Sequence, residues 1–253
     1  MRFKDYLAED QYKTETDAQG AWELLNKHCK DALKDLETPI VRGMKGFDGG
    51  FGVLHGEVGG RKSRNTTNYY TVILDAVLPK EFPKRSGSII CANWANRSHA
   101  AAYGGRLFAI IPFDGVKIGV CPDSDMWDTR IEVNGYNESI EDWNYNLRNS
   151  VANDKLSFEE MMERLEKLRA KESGISDWLA DLDPGTIKQE FIKAYTKPFK
   201  LATTDESKVY NDKKRREVWI GGKCVVINMN VYKDMMENPD PNMLGQSRWY
   251  SPE

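Results

Sequence analysis

Histidine and cysteine are both scarce in this 253-residue chain, with three and four residues. His28, His55 and His99 have a spacing that fits no familiar metal site. Cys29, Cys91, Cys121 and Cys224 stand far apart, without the paired spacing of zinc ligands or of a small disulfide framework. Cys91 and Cys224 fall inside apolar runs, where a thiol behaves as a small hydrophobe, so reduced thiols in a cytoplasmic protein are expected. Long apolar runs are missing as well. No stretch approaches the roughly 20 residues of a membrane-spanning helix, and Met1-Arg2-Phe3-Lys4-Asp5 lacks the apolar core of a secretion signal. No membrane association is expected. An excess of either charge is also lacking: a net charge of −3 gives no general attraction to nucleic acid or anionic lipid.

Several motifs are equally absent. The glycine-rich stretch 43–60, with Gly49-Gly50 and Gly59-Gly60, lacks the phosphate-loop spacing that ends in Lys and Ser/Thr, and reads as a flexible loop. Nothing resembles a nucleophile elbow. Asp123-Ser124-Asp125 and Asp128 lack the glycine and closing glutamate of a calcium loop, and a solvated turn is the better reading.

What is present is a chain able to fold. Hydrophobic residues make up 40%, and seven tryptophans with eleven tyrosines argue against disorder. Trp22, Leu25, Cys29, Leu33 and Leu36 recur at helical spacing and predict one helix over 17–36, stopped by Thr38-Pro39. A short strand, Ile40-Val41-Arg42, follows. The pattern predicts a helix over 66–77, a buried strand over 88–91, an alanine-rich helix over 96–103 closed by Gly104-Gly105, and strands at 107–111 and 116–120 around the turn Phe113-Asp114-Gly115. Residues 123–153 show no clear period, and Trp127, Tyr136, Trp143 and Tyr145 within them could fill a core, wall a cleft or face a partner. Ser157-Phe158-Glu159-Glu160 is a capping box opening a helix to about Lys171, and Thr186 opens another. A last strand pair spans 218–227, broken at Gly221-Gly222. Short strands interleaved with helices, without steady βαβ alternation, predict an α+β fold. Residues 1–236 read as a single domain with a helical insertion over 155–195, and 237–253 as a loosely ordered tail.

Three pieces carry a possible chemistry. Arg42 stands in Pro39-Ile40-Val41-Arg42-Gly43-Met44 after a long amphipathic helix. Arg85-Ser86-Gly87-Ser88-Ile89-Ile90-Cys91-Ala92-Asn93 precedes the small-residue helix Ser98 to Gly104. Glu217 opens Glu217-Val218-Trp219-Ile220-Gly221-Gly222-Lys223-Cys224. This order resembles the arginine–serine–glutamate pattern of the ADP-ribosyltransferases, closest in flavour to divergent phage and bacterial members. The resemblance implies a split sheet with surrounding helices, binding NAD as substrate in a cleft between two small sheets. It implies transfer of ADP-ribose to a macromolecular acceptor, protein or nucleic acid, with release of nicotinamide and without a metal.

By that resemblance Arg42 would orient NAD, since a guanidinium is a persistent fork for a diphosphate. Glu217 would stabilise the ribosyl cation that forms as nicotinamide leaves. Ser88 or Ser86 would take the place of the family serine, Asn93 could hydrogen-bond in the cleft instead, and Tyr103 could pack near the nicotinamide. The family serine and threonine stand at the strand's end, whereas Ser86 and Ser88 stand at its start. In arginine-modifying members a second carboxylate lies two positions before the glutamate; Arg215 is there, which favours other acceptors. A phage-encoded protein would act in the host cytoplasm. The simpler roles are a surface ion pair for Arg42 and neutralisation of the basic run Lys213-Lys214-Arg215-Arg216 for Glu217. The alternative function is a non-catalytic, virion-associated or protein-binding chain of the same fold. A nucleic-acid binder using that run and Arg61-Lys62-Ser63-Arg64 would need both on one surface. A transferase needs Arg42 and Glu217 to face one cleft.

Overall fold

The computed structural model describes residues 13–34, 38–45, 50–56, 68–151, 155–171 and 177–237. Along the chain run β1 (Lys13–Thr16), α1 (Ala18–His28), β2 (Ile40–Met44), β3 (Phe51–His55), α2 (Tyr69–Val77), β4 (Ile89–Ala92), α3 (Arg97–Gly104), β5 (Arg106–Pro112) and β6 (Ile118–Val120). Then come β7 (Arg130–Val133), β8 (Tyr136–Ser139), α4 (Ile140–Val151), α5 (Phe158–Arg169), α6 (Asp177–Ala180), α7 (Ile187–Thr196), β9 (Leu201–Thr203), α8 (Ser207–Tyr210), β10 (Glu217–Ile220), β11 (Lys223–Asn228) and α9 (Met229–Glu237). The class is α+β.

Nine strands form one antiparallel sheet in the order β1-β3-β11-β5-β2-β4-β10-β6-β9, and β7 and β8 form a separate hairpin. The large sheet has a weak seam. β2 and β4 share a single residue pair, Val41 with Ala92, whereas β2 pairs β5 over five positions and β4 pairs β10 over four. Burial on either side of the seam explains how the halves are arranged. One sheet face carries Ile40, Ile110, Cys224 and Val226 from the first half and Ile118, Val120, Val218 and Ile220 from the second, all buried in one apolar cluster. Few of the described helical residues cover that face, Val209 and Tyr210 among them. The halves therefore cover each other.

Contacts at the strand ends agree with this closure. The Gly56 amide, just past β3, donates to the Gly222 carbonyl at 2.9 Å, and a side chain at Gly56 would meet the carbonyl oxygens of Gly87 at 2.7 Å and Ile220 at 3.0 Å. β3 and β10 lie five places apart in the sheet, yet their ends meet.

The outer faces are helix-covered. α1, α3 and α9 supply Ala21, Leu25, Ala100, Met229, Tyr232 and Met235 against Val41, Ala109, Val225 and Ile227. The second half is backed by α2, α4, α5, α6 and α7, whose Ile73, Trp143, Leu165, Trp178 and Phe191 pack with Trp219. Trp143 is fully buried, donates its indole N–H to the Ile131 carbonyl at 3.0 Å, and meets Trp178 and Phe191 edge-on. So of the four rings in 123–153, Trp143 fills core, while Tyr145 is exposed.

Some sequence expectations need correction. The helix expected over 17–36 ends at His28: Asp114 donates its amide to the His28 carbonyl at 2.6 Å, and its carboxylate accepts from the Lys30 and Asp31 amides, turning the chain aside. A short 3-10 turn, Ala32–Lys34, follows, and residues 35–36 lie outside those described. The glycine-rich stretch 43–60 contains β3, and the periodless stretch 123–153 contains a hairpin and α4. The helices of 155–195 pack against α2 and α4 in the large core.

Candidate functional site

β10 starts where the chain leaves the basic loop 212–216, and Asn93 sets that point. Its amide nitrogen donates to the carbonyls of Asp212 at 3.0 Å and Lys214 at 2.7 Å, and its oxygen accepts from the Arg216 amide at 3.0 Å. The Asn93 backbone amide adds a bond to the Arg216 carbonyl at 3.1 Å. With 1% exposure, Asn93 is a buried clasp that delivers Glu217 opposite Ala92.

Glu217 leaves β10 on the same pleat face as Trp219, because alternate strand residues share a face. It is 8% exposed. Its Oε1 accepts the Trp219 indole N–H at 2.6 Å and pairs with Arg85 Nη2 at 3.1 Å. The Arg85 guanidinium also stacks over the Trp219 ring, 5.2 Å from its centroid. Among the described residues Oε2 receives only the Met126 amide, at a long 3.4 Å. One carboxylate oxygen is thus held by two strong donors, and the other is nearly uncommitted. Such an arrangement suits a carboxylate that presents one oxygen to developing positive charge.

A covering segment closes over this carboxylate. Glu217 exchanges backbone bonds with it, from its amide to the Asp123 carbonyl at 3.0 Å and from the Cys121 amide to its own carbonyl at 2.9 Å. α3 and the residue before it pin the segment: Asn96 donates to the Ser124 carbonyl at 2.7 Å, and His99 Nε2 lies 3.3 Å from Asp125 Oδ2. Asp125 also accepts from the Trp127 amide, and Trp127 leans on Tyr70 with ring centroids 4.6 Å apart. The acidic loop 123–128 is a pinned cover, and no group of three or more potential metal ligands occurs among the described residues.

Arg42 lies one residue beyond the row Val41–Ala92–Glu217, so its side chain leaves the pleat on the face of Cys91 and Val218, opposite to Glu217. Its Nη1 donates to the Ile90 carbonyl, and its charge is felt by the Cys224 thiol. Strand carbonyls point along the sheet toward neighbouring strands, so the guanidinium sits at the β2/β4 seam. The sheet brings Arg42 and Glu217 to neighbouring rows but not to one face.

The serines lie elsewhere. Ser88 and Ser86 precede β4 at the end away from Ala92, about 13 Å along the strand for Ser88 at the usual rise. The Ser88 hydroxyl donates to the Lys84 carbonyl at 2.7 Å, and the Ser86 amide donates to the Asp75 carboxylate at 3.3 Å. Tyr103 falls in the last turn of α3, with its side chain outside those described. Of the basic runs, Lys213–Arg216 forms the loop beside Glu217, with Arg216 paired to Asp212 at 3.0 Å, and Arg61–Arg64 lies outside the described residues.

Arg85 was present in the motif, but its role was not legible there, because its reach to Glu217 depends on the 3-10 turn Arg85–Gly87 folding beside β4. Trp219 was not singled out either, although its place two positions from Glu217 on a strand signals one shared face. Comparison with protein-family models, curated proteins and solved structures finds no match for this chain.

Proposed function

We propose that this chain is an NAD-dependent mono-ADP-ribosyltransferase of ADP-ribosyltransferase-like fold, with Glu217 as its catalytic carboxylate. The observation that carries this is the asymmetry at Glu217: a buried, strand-borne carboxylate whose Oε1 is fixed by Arg85 and Trp219, while Oε2 keeps one long contact. Departure of nicotinamide leaves positive charge on the ribose, and an oriented carboxylate oxygen there lowers the barrier. Two further features support the reading. The sheet is divided at the β2/β4 seam, as a split-sheet fold requires, and the arginine-bearing and glutamate-bearing strands both flank β4. Arg42 at the seam would take the diphosphate, turning from the Ile90 carbonyl to do so, and the 123–128 cover would shift to admit the ribose.

In this account Asn93 positions the loop before Glu217 and does not touch NAD, and Ser86 and Ser88 shape the turn that holds Arg85. The acceptor is a protein or nucleic acid.

A second reading, a non-catalytic or virion-associated binding protein, is favoured by one specific observation: Arg42 and Glu217 leave their strands on opposite faces. The two are separated by incubating NAD labelled on its adenylate phosphate with the purified chain and a cell extract. The transferase labels macromolecules, and Glu217→Gln abolishes the label. A binding protein labels nothing in either form.

A further inference from the structure

Arg85 is 6% exposed, and its Nε has no hydrogen-bond partner among the described residues. A buried ion pair is a poor stabilising device, because desolvation of both charges offsets their attraction and apolar replacements often serve as well. An unsatisfied guanidinium nitrogen adds to that cost. The surroundings are apolar and aromatic: Trp219 lies under the guanidinium, and the Phe199 ring lies tilted against Trp219 with centroids 5.5 Å apart. An aliphatic side chain would fill this place without either penalty. The guanidinium's geometry is what an aliphatic group cannot supply: it holds Glu217 Oε1 from one side while the Trp219 indole N–H holds the same atom from another. Two donors on one oxygen fix the rotation of the carboxyl group, and Oε2 is thereby aimed.

We propose that Arg85 is a positioning residue of the transferase, acting through Glu217 together with Trp219 to present Oε2 to the ribose. This rests on Glu217 being the catalytic carboxylate. Arg85 touches neither the substrate nor the reacting atoms, so its removal lowers turnover and leaves NAD binding nearly intact.

Two measurements test it. The first needs no activity. In the amide NMR spectrum, the Trp219 indole N–H, assigned by its loss in Trp219→Phe, is displaced by its short bond to the carboxylate. Arg85→Met and Glu217→Gln both move that signal toward the free-indole position. The second is kinetic. Arg85→Met lowers kcat for nicotinamide release about 100-fold with KM for NAD changed less than about threefold, the size of loss seen when one preorganised electrostatic contact is removed. Arg85→Lys, which keeps a cation, loses less. Should Arg85→Met fail to fold, Arg85→Lys carries both measurements and Trp219→Phe the kinetic one alone, since each weakens one of the two holds on Oε1.

An indole signal that stays in place in a folded Arg85 variant overturns the positioning role. So does a folded variant with unchanged kcat, or with its whole loss in KM. A native chain that releases no nicotinamide, with the indole signal still responding to Arg85→Met, overturns the transferase assignment and leaves Arg85 as a structural clamp only.

Discussion

Glu206 buries a carboxyl group among other carboxyl groups. It is 2% exposed, its Oε2 has no partner among the described residues, and burial together with Asp114, Asp31 and Asp205 pushes its pKa up to about 8. The unfolded chain gives up this proton near the ordinary glutamate value of 4.5, so between about 4.5 and 8 the folded state binds more protons than the unfolded one. Stability then falls as pH rises through that window. Glu206→Gln, a neutral mimic of the protonated acid, should raise the melting temperature at pH 8, leave it nearly unchanged at pH 4.5, and flatten the slope between. Asn93 makes a different prediction. Asn93→Ala removes three side-chain hydrogen bonds from a buried site and strands the groups they served, at a cost of about 2–3 kcal/mol read from denaturant midpoints. At this scale the sequence marked Glu217 and Asn93 by their place beside strands. It did not mark Glu206, whose raised pKa comes first from burial by the fold and then from Asp114 and Asp31, far away in the chain.

Strands and helices were legible where the local pattern and the tertiary environment agree. The capping box at Ser157 is formed as read, with the Ser157 amide donating to Glu160 at 2.8 Å and the Glu160 amide donating to the Ser157 hydroxyl at 3.3 Å. α1 is shorter than its apolar spacing predicts, because Asp114 intervenes from 84 residues away. The β7–β8 hairpin carried a local signal in Asn134-Gly135, both at positive φ as such tight turns require, yet its strands have only four residues each. Between β10 and β11 the chain needs two glycines to cross from one half-sheet to the other. A Cβ on Gly221 would lie 2.3 Å from the Cβ of Pro83, and one on Gly222 would lie 2.8 Å from Val116. Gly221→Ala should therefore destabilise the fold by about 1–3 kcal/mol, an overpacking penalty measurable by urea unfolding.

The molecule as a whole is a divided sheet closed on itself, with helical layers on both outer faces and a buried carboxylate beneath a pinned loop on one of them. The α+β class followed from interleaved short elements. The closure did not, because it depends on which strands pair across long stretches of chain, and the single Val41–Ala92 pair at the seam has no local signature. The same gap separates the two candidate site residues: motif order singled out Arg42 and Glu217, strand pairing brought them to neighbouring rows, and pleat parity sent their side chains to opposite faces. No described helix is long and apolar enough to cross a membrane. The role proposed for Glu217 is tested most directly by nicotinamide release from NAD by the purified chain, compared with a folded Glu217→Gln variant. Release by the native protein with a loss of at least 100-fold in the variant is the predicted result, in line with removal of a preorganised transition-state charge. Equal rates in the two proteins, or no release and no NAD binding by either, would contradict it.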